Sequence, residues 1–352
     1  MSKKQKIIVG MSGGIDSSVT AYMLQKEGYE VEGLYMKLHD TVEGYHEDNI
    51  DSITKVCDYL GIKFHILDIQ DKFKKEVYDY FVNSYIDGIT PNPCVKCNKT
   101  IKFGAMIDKM KELNGDFLAT GHYAKTDGNF LYCAKDTHKD QSYFLAQVDK
   151  NALKYMMFPM SNFTKEYIVE MASKLPILKD IAKKKESQEI CFVPNVYTEI
   201  LQKHTKIDLP GITLDVNGNE IGTHKGYMHY TVGKRKGFYV HGAHEPHFVI
   251  SQDKSKNTIT VGKKNELFVN SVIIDNLNMF IEDTSFNAKV KLRYKSSSVD
   301  CEVTISNQQA SIKLKEDVFG VATGQVAVLY DDNKVIGSGY IIETNKIKEE
   351  NK

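Results

Sequence analysis

The feature that most constrains the fold is the loop at residues 10–18, GMSGGIDSS, which follows an apolar strand pattern and opens a helix pattern. Gly13 and Gly14 allow the backbone to approach a ligand without side-chain obstruction, and the amides of the following helix favour an anion there. The serine hydroxyls of the loop add donors, whereas the lysine of the common ATPase phosphate loop is missing. The loop therefore predicts a phosphate-binding device of another kind, in which Asp16 could hold a magnesium ion between phosphates.

The first part of the chain alternates between strand and helix patterns. Strand patterns occur at 6–10, 30–36, 64–69 and 116–120, and helix patterns occur at 17–27, 50–60, 71–85 and 101–113. Gly28 and Gly61 end the first two helices, the first helix is predicted to be amphipathic, and Asp71 is the predicted N-cap of the third. The alternation predicts an α/β doubly wound parallel sheet with helices on both faces, and ligands in such sheets lie at the carboxyl ends of the strands.

The pattern changes in the second half. Residues 144–185 have a helix pattern with a lysine-rich end. After about residue 206, glycines separate short segments rich in β-branched and aromatic residues. Strands typical of small β-barrels or sandwiches are predicted at 249–261, 288–294, 301–305, 308–314 and 325–330. We therefore predict a catalytic α/β domain with a helical extension at 1–205, a central β domain at 206–270, a C-terminal β-barrel domain at 271–347 and a charged tail at 348–352.

Composition excludes some classes of protein. The 352 residues are 41% hydrophobic and 26% charged, which is ordinary for a globular protein of more than one domain. No apolar run approaches the roughly 20 residues that cross a bilayer, and the basic start of the chain has no signal-peptide core behind it. We expect a cytoplasmic protein with no membrane partner.

The charges balance overall, and nearly all of the positively charged residues are lysines. Formal net charge is +0, which argues against coating of nucleic acid by bulk charge but leaves room for a local basic surface. Only Arg235 and Arg293 are arginines among 46 Lys and Arg. The planar fork of arginine suits phosphates, so these two residues, joined by Lys234 and Lys236, are the best candidates for phosphate contacts, with chance as the alternative.

The cysteines carry a second possible chemistry. Six cysteines in a reducing compartment are not expected to form a static disulfide framework. Cys94 and Cys97 form a Cys-x-x-Cys pair with three possible functions. It could be a redox pair, half of a zinc site that lacks its other ligands, or a catalytic thiol with a neighbour. Cys97 stands between two lysines and just ahead of the helix pattern at 101–113, a setting that lowers the pKa of a thiol. Cys191 follows another run of lysines.

Ordered motifs extend along nearly the whole chain beyond the SGGIDSS loop. They are GLYMK (33–37), TPNP (90–93), CN (97–98), KFG (102–104), ATGHYA (119–124), KDQSYFL (139–145), KK (184–185), ICF (190–192), YTVG (230–233), RKG (235–237), RY (293–294) and GQ (324–325). Together they resemble the tRNA-specific 2-thiouridylase family of the PP-loop ATP pyrophosphatase superfamily. The loop alone does not separate sulfur-transfer enzymes from the amide-forming synthetases of that superfamily, whereas the cysteine motifs do.

The resemblance implies a tRNA-uridine 2-sulfurtransferase. Such an enzyme adenylates the C2 oxygen of the anticodon wobble uridine and transfers sulfur from a cysteine persulfide, giving 2-thiouridine, AMP and pyrophosphate. Cys97 is implied as the nucleophile, Cys191 as the persulfide carrier and Asp16 as a third catalytic residue, and a Cys97–Cys191 disulfide remains after transfer. The implied cofactors are ATP and Mg2+, and the implied partners are tRNA, a persulfide sulfur-donor protein and an external thiol reductant.

The resemblance also implies three sets of contacts. The ATP contacts are Gly10, Met11, Ser12, Gly13, Gly14, Ile15, Asp16, Ser17, Met36 and Gly121. The target-base contacts are Asn92, Pro93 and Cys94. The tRNA contacts, which include part of the helical extension, are His122, Asp140, Gln141, Ser142, Arg293, Tyr294 and Gln325.

Three positions depart from the family pattern. Thr323 stands where proline is usual and Lys234 where glutamine is usual, and Cys94 replaces a frequent aspartate. Cys94 opens an alternative, because Cys94, Cys97 and Cys191 could hold three irons of a [4Fe-4S] cluster and leave the fourth iron to bind sulfide.

Two other function classes stay open on the residues alone. An amide-forming PP-loop synthetase would need neither reactive cysteines nor basic β domains. A noncatalytic tRNA-binding protein with a vestigial loop would bind tRNA without consuming ATP, although the intact Asp16, Cys97 and Cys191 argue against it.

Overall fold

The computed structural model describes residues 4–41, 43–179, 181 and 190–346. The lysines at 183–185, the segment before Ile190 and the tail at 348–352 lie outside the described residues. The chain divides into two compact units. The first unit comprises 1–77, 94–194 and 332–336, and the second comprises 78–93, 195–331 and 337–352.

The first unit is built on a parallel sheet. The strands of the unit up to residue 157 are, in chain order, β1 (Lys6–Gly10), β2 (Glu30–Lys37), β3 (Lys63–Asp68), β4 (Phe117–Thr120), β5 (Lys125–Thr126), β6 (Leu131–Tyr132) and β7 (Met156–Met157). The sheet has the order β3-β2-β1-β4-β7, and every pairing in it is parallel. β5 and β6 form an antiparallel pair outside this sheet, and β6 also pairs antiparallel with residues 334–335. The carboxyl ends of β1, β2 and β4 therefore meet at one edge of the sheet.

Helices connect the strands. The α-helices are α1 (Ile15–Lys26), α2 (Tyr45–Leu60), α3 (Gln70–Phe73), α4 (Asp79–Ile86), α5 (Pro93–Cys97), α6 (Met106–Glu112), α7 (Ser142–Leu145), α8 (Lys165–Ser173) and α9 (Tyr197–Gln202). Lys74–Tyr78 and Asn98–Ala105 are π-helical. Short 3-10 turns cover Lys150–Tyr155, Pro159–Asn162, Pro176–Leu178, Tyr227–His229 and Lys264–Leu267.

The core of the first unit explains why these elements form. Ile7, Ile8 and Val9 of β1 are fully buried, as expected for a central parallel strand covered on both faces. On α2, Ile53, Val56 and Cys57 form the buried face, and Gly61 ends the helix in the left-handed region as predicted.

Some local predictions were wrong. α1 is not amphipathic, because it packs against the sheet, α2 and α8 together and buries polar residues such as Ser17 and Thr20 with its apolar ones. Asp71 is not an N-cap, because the helical run begins at Gln70 and no side chain caps it. The single helical stretch predicted for 144–185 is instead a series of short helical elements interrupted by β7.

The second unit contains two β structures. The first has the strands β8 (Gly211–Leu214), β9 (Glu220–His224), β10 (Phe238–Val240), β11 (Phe248–Asp253) and β12 (Thr258–Gly262). Their order is β10-β9-β8-β12-β11, with β8 and β12 parallel and the other pairs antiparallel.

The second β structure is a closed barrel. Its strands are β13 (Phe268–Met279), β14 (Ser285–Lys291), β15 (Val299–Ser306), β16 (Gln309–Phe319), β17 (Val326–Asp331) and β18 (Lys334–Asn345). They follow the order β13-β16-β15-β14-β17-β18, and β18 pairs back onto β13 and closes the ring. The predicted fold class, a doubly wound α/β sheet followed by two small barrel-like β structures, is confirmed, whereas the exact domain boundaries stay predictions. Within the described ranges, no helix is long and apolar enough to cross a membrane.

Candidate functional site

The SGGIDSS loop connects β1 to α1 at the carboxyl edge of the sheet. Gly14 is the N-cap of α1 in an extended conformation, and no side chain occupies the cap. Gly13 has φ +76°, and a Cβ there would lie 2.7 Å from the side-chain oxygen of Asn49. The loop is thus held open at its backbone, with the first amides of α1 behind it, as an anion site requires.

The loop serines have different roles. The hydroxyls of Ser17 and Ser18 both donate to the carbonyl oxygen of Gly14, at 3.1 Å and 3.0 Å, and both residues are buried. The amide of Ser12 donates to Ser17 Oγ at 3.1 Å. The hydroxyls of Ser17 and Ser18 therefore shape the loop, whereas Ser12 is exposed, and the ATP contacts of the loop stay predictions.

Asp16 has a partner that sequence reasoning missed. Lys165 Nζ lies 2.8 Å from both carboxylate oxygens of Asp16, and the hydroxyl of Tyr123 donates to Oδ1 at 3.0 Å. Lys165 is only 8% exposed and is the first residue of α8, where its amide is bound by Asp136. The many lysines of this chain gave no signal that this one is buried beside the loop.

Gly121 brings the end of β4 against the same loop. A Cβ on Gly121 would lie 2.8 Å from the backbone carbon of Asp16 and 2.9 Å from the amide nitrogen of Ser17. The absence of a side chain is therefore what permits the close approach. Gly10 and Met36 lie at the ends of β1 and β2, at this same edge.

The helix that carries Cys97 begins earlier than predicted. α5 starts at Pro93, a residue favoured at the first helical position, so Cys97 lies inside the helical run and not ahead of it. The run continues as the π-helix Asn98–Ala105. In a π-helix residues five apart share a face, so Lys102 follows one turn after Cys97.

Burial raises the pKa of the thiols. The pKa of Cys97 is raised to about 12, first by burial, against which Lys102 lowers it, while the charges of Cys191 and Cys94 raise it further. Burial also raises the pKa of Cys94, and Lys102 again lowers it. The prediction that neighbouring lysines hold the Cys97 pKa low was wrong.

The adjacent lysines fail in that role because they have other partners. Lys96 pairs with Glu76 at 4.0 Å, and Lys99 donates to the side-chain oxygen of Gln147 at 3.0 Å. Lys102 is the cation that favours the thiolates.

Cys191 lies in an exposed turn, yet its charge interacts with those of Cys94, Cys97 and Lys102. Desolvation around its sulfur raises its pKa to about 11, the charge of Cys94 adds to the rise, and Lys102 opposes it. Its charge also raises the pKa of Tyr35, which lies at the carboxyl end of β2. Cys94, Cys97 and Cys191, called here the thiol group, thus come together near the edge of the sheet that carries the loop.

Phe192 fixes the turn that carries Cys191. Its ring contacts Phe73 and His39 at centroid distances of 5.5 Å and 6.5 Å, and its carbonyl accepts from the hydroxyl of Thr41 at 3.4 Å. Phe192 is almost fully buried although its neighbour Cys191 is exposed. The aromatic anchor therefore holds one end of the sulfur-bearing turn.

His122 is enclosed by aromatic side chains and lies within range of Lys102. Its ring packs between Phe103 and Phe158, and its Nδ1 lies 2.8 Å from the hydroxyl of Thr120. Burial, with a further contribution from Lys102, lowers the pKa of His122 well below its ordinary value. The imidazole is therefore neutral at pH 7.

Asp140, Gln141 and Ser142 form a network of internal hydrogen bonds. Asp140 accepts hydrogen bonds from the Ala134 amide at 2.9 Å and from the Ser142 hydroxyl at 2.7 Å. Asp140 and Ser142 are both buried. Gln141 holds the amide of Tyr123 at 3.0 Å. These contacts support the segment that orients Tyr123 toward Asp16.

The remaining predicted tRNA and base residues lie in the second unit, apart from Cys94. Arg293 and Tyr294 follow β14, and the guanidinium of Arg293 lies over Gly320. Arg235 and Lys236 are exposed, whereas Lys234 donates to the carbonyl of His229 at 2.6 Å. The side-chain amide of Gln325 donates to two backbone carbonyls just before Asn92 and Pro93.

Two metal sites were predicted, a magnesium site at Asp16 and an iron–sulfur cluster on the thiol group. Among the residues described, no group of three or more His, Cys, Asp or Glu side chains is arranged to hold a metal ion. The two carboxylate oxygens of Asp16 are already engaged by Lys165. The present contacts of Asp16 with Lys165 do not suit a magnesium ion, and the iron–sulfur cluster on the thiol group stays a prediction.

Comparison with known proteins gives matches over the whole chain. Residues 5–195 match the family described as tRNA methyl transferase HUP domain, 198–263 match the tRNA methyl transferase PRC-barrel domain, and 269–341 match the aminomethyltransferase beta-barrel domain. A protein of Aliarcobacter butzleri named tRNA-specific 2-thiouridylase MnmA 1 is 62% identical over 98% of this chain and 100% of that protein. One of Sulfurimonas denitrificans, named tRNA-specific 2-thiouridylase MnmA, is 50% identical over 97% and 99%.

Likeness to solved structures is weaker. A 4-thiouridine synthetase–RNA complex with bound ATP is 18% identical, with 56% of this chain and 49% of that chain covered at a TM-score of 0.36. That likeness is too weak to support an inference about this chain.

The thiol group offers a direct test of its electrostatics. Substituting Lys102→Met removes the cation that opposes burial, so the pKa values of Cys94, Cys97 and Cys191 should rise further. We expect alkylation by iodoacetamide at pH 8 to slow about tenfold at these cysteines, as followed by peptide mass spectrometry, since only the thiolate reacts. Lys102→Arg should retain the wild-type rate.

Lys109→Met, which alters a surface lysine of the same helical run paired with Glu112, serves as the matched control and should change nothing. Equal alkylation rates in Lys102→Met and wild type would contradict the role of Lys102.

Proposed function

This chain belongs to the tRNA-specific 2-thiouridylase family, and we propose that it is an ATP-dependent tRNA-uridine 2-sulfurtransferase that forms 2-thiouridine at the anticodon wobble position. The observation that carries the proposal is the shared neighbourhood of Cys97 and Cys191. The two thiols are far apart in sequence, yet each lies within range of Lys102, at the edge of the sheet that carries the SGGIDSS loop. Nucleotide chemistry and sulfur chemistry thereby meet in one unit.

The loop and Lys165 form the proposed nucleotide end of the site. The amides at the start of α1 and the exposed Ser12 hydroxyl would bind phosphate oxygens, with Gly10 to Ser17, Met36 and Gly121 surrounding the nucleotide. Lys165 would exchange part of its contact with Asp16 for the phosphates, because phosphate oxygens accept hydrogen bonds from an ammonium as carboxylate oxygens do. Magnesium would arrive with ATP, and we assign no step to a protein-bound ion.

Adenylation makes the oxygen of the base replaceable. The C2 oxygen of uridine attacks the α-phosphorus of ATP, the bond to the β-phosphate breaks, and pyrophosphate leaves with its electron pair. Positive charge and amide donors at the loop stabilise the charge that develops on pyrophosphate. The C2 oxygen is thereby bound to AMP, which leaves in the next step far more readily than oxide.

Sulfur then replaces AMP. Cys191 carries the terminal sulfur as a persulfide received from a donor protein, and this sulfur attacks C2 directly or after release as hydrosulfide. Cys97 attacks the Cys191 sulfur, so the bond between the two persulfide sulfurs breaks and a Cys97–Cys191 disulfide forms. An external thiol reductant supplies the two electrons that return both cysteines to thiols.

The tRNA contacts complete the proposal. The target base must leave its stack to reach a buried thiol. Asn92 directly precedes the helix that carries Cys97, and Pro93 and Cys94 are the first two residues of that helix. His122 beside Lys102 would contact the tRNA near that base. Phosphate contacts are assigned to Arg293 with Tyr294 and to Arg235, which is exposed. Asp140, Gln141 and Ser142 would contribute backbone or indirect contacts, because their side chains are used internally.

The iron–sulfur alternative places a [4Fe-4S] cluster on Cys94, Cys97 and Cys191. We favour the persulfide route, because it requires only Cys97 and Cys191, which both lie within range of Lys102. Cys94 would then be a thiol neighbour that raises the pKa of Cys97 and Cys191 rather than an iron ligand.

The two-cysteine route predicts the effect of single thiol substitutions. Cys97→Ser and Cys191→Ser should each reduce 2-thiouridine formation below detection, because neither the persulfide transfer nor the disulfide can be completed. Binding of tRNA should stay within about twofold, since the change is isosteric. Mass spectrometry of digested tRNA nucleosides and filter binding measure the two quantities.

Cys133→Ser is the matched control, because Cys133 is partly buried in the same unit and its sulfur contacts Ser142 instead of the thiol group. Full thiolation by either Cys97→Ser or Cys191→Ser would exclude the proposed route.

Lys165 gives a separate prediction for the nucleotide end. Lys165→Met should lower tRNA-dependent pyrophosphate release about 100-fold, the size expected when one preorganised donor is lost from a transition state. Lys165→Arg should recover part of the rate. Lys174→Met, an exposed lysine just after the same helix, should match the wild type. A wild-type rate of pyrophosphate release in Lys165→Met would remove Lys165 from the mechanism.

The choice between persulfide and cluster rests on iron content. Protein purified without oxygen should contain no stoichiometric iron or acid-labile sulfide, and Cys94→Ser should retain at least about half of the thiolation rate. About four irons per chain, lost together with activity in Cys94→Ser, would establish the cluster instead.

A further inference from the structure

The segment at residues 86–91, called here the strap, connects α4 to the helix that carries Cys97. It contains Pro91 and is followed after one residue by Pro93, the first residue of α5. Proline fixes φ and has no N–H, and it restricts the residue before it. The chain from Thr90 to Pro93 therefore has few free backbone angles, and whatever fixes Thr90 also fixes the start of α5.

The barrel fixes Thr90 through both of its backbone polar groups. The amide of Thr90 donates to the carbonyl of Thr323 at 3.1 Å. The side-chain amide of Gln325 donates to the carbonyls of Thr90 at 3.0 Å and Pro91 at 3.1 Å. Because the proline next to Thr90 offers no amide for backbone pairing, Gln325 supplies the two donors that these carbonyls require.

The turn that makes these contacts is itself held in place. Gly324 donates to the carbonyl of Ile341 at 2.8 Å, and the amide of Ile341 donates to the carbonyl of Gln325 at 2.8 Å. Gly324 has φ +85°, and a Cβ there would lie 2.2 Å from Ile89 Cγ2 and 2.8 Å from the carbonyl oxygen of Thr90. The glycine is what lets the turn approach the strap.

The other end of the strap is bound to the central β structure. The hydroxyl of Tyr227 donates to the carbonyl of Ile86 at 2.5 Å. Lys254 pairs with Asp87 at 2.7 Å, although both are half-exposed and the pair adds little stability. Both β structures of the second unit therefore hold the same six residues.

We propose that Gln325 is a positioning residue: its amide holds the Thr90 and Pro91 carbonyls and so fixes Asn92 and Pro93, where the helix that carries Cys97 begins, for sulfur transfer. This inference rests on the proposed function. It gives Gln325 a task other than the tRNA contact implied by resemblance, because the amide protons that a phosphate or base would take are bound to the strap.

The substitution Gln325→Met tests the proposal, because it keeps the size of the side chain and adds no charge while it removes both donated hydrogen bonds. We expect kcat for thiolation to fall about tenfold, the order set by the loss of two neutral hydrogen bonds. The Kd for tRNA should stay within about twofold of wild type. Peptides covering the strap should exchange amide hydrogens for deuterium faster, in protein without ATP or tRNA.

Two further variants guard against misfolding. Gln325→Asn keeps the amide but shortens the side chain, so its kcat should lie between those of wild type and Gln325→Met. Gln309→Met changes an exposed glutamine at the start of β16 and should leave kcat, Kd and exchange unaltered. A thermal melting curve for each variant shows that the compared proteins are folded.

Three results would overturn the inference. They are an unchanged kcat in Gln325→Met, an unchanged exchange of the strap, or a rise in the Kd for tRNA with kcat unaltered, the last of which would assign Gln325 to the tRNA. A wild-type protein without thiolation activity would instead refute the proposed function, while the exchange measurement would still report on the contact of Gln325 with the strap.

Discussion

Desolvation of charge is the constraint that the sulfur chemistry has to overcome. A pKa of about 12 in place of 9 means that ionising Cys97 costs about 4 kcal/mol more than ionising an ordinary cysteine. Lys102, in the π-helical segment that follows Cys97, lowers the pKa of all three thiols and so keeps this cost from being larger. A protonated thiol reacts poorly with oxidants and electrophiles, so the raised pKa values make the thiol group less reactive than ordinary cysteines.

The same constraint accounts for the pair at the loop. Lys165 is buried and Asp16 is partly exposed, so the buried ammonium would be costly there without the carboxylate. Pairing keeps both ions beside the start of α1 without a net charge, and a polyphosphate that enters competes with Asp16 for the ammonium. The nucleotide end and the sulfur end thus follow one design, in which a partly buried lysine sets the energy of the anion next to it.

Sequence patterns predicted the parts of the molecule that depend on local rules. The apolar run of β1, the glycines at 13 and 61 and the alternating burial in β15 follow from strand and turn chemistry, so these elements and the fold class were predicted from the residues. The family followed from ordered motifs and is confirmed by the relatives of 62% and 50% identity.

What sequence reasoning missed depends on contacts between distant segments. Lys165 is 149 positions from Asp16, and nothing in its neighbours separates it from the other lysines. The predicted low pKa of Cys97 was wrong for a related reason, because neighbours in sequence were taken as neighbours in space, whereas Lys96 and Lys99 bind other groups. Gln325 lies 235 positions from Thr90, and no local rule predicts that a side-chain amide will satisfy the carbonyls of a proline segment.

The reaction itself explains why so much distant structure would be used to hold a few residues. Three reactive atoms must meet in the proposed mechanism: the α-phosphorus of ATP, C2 of the base and a persulfide sulfur. A displacement of about 1 Å in such an arrangement is enough to cost on the order of 100-fold in rate. A helix whose first residue is proline, preceded by a proline strap with both carbonyls bound, has little freedom to make that displacement. Rigid backbone before Cys97 and a cation after it are thus two separate requirements, one for the position of the thiol and one for its charge, and the short helical run from Pro93 to Ala105 meets both.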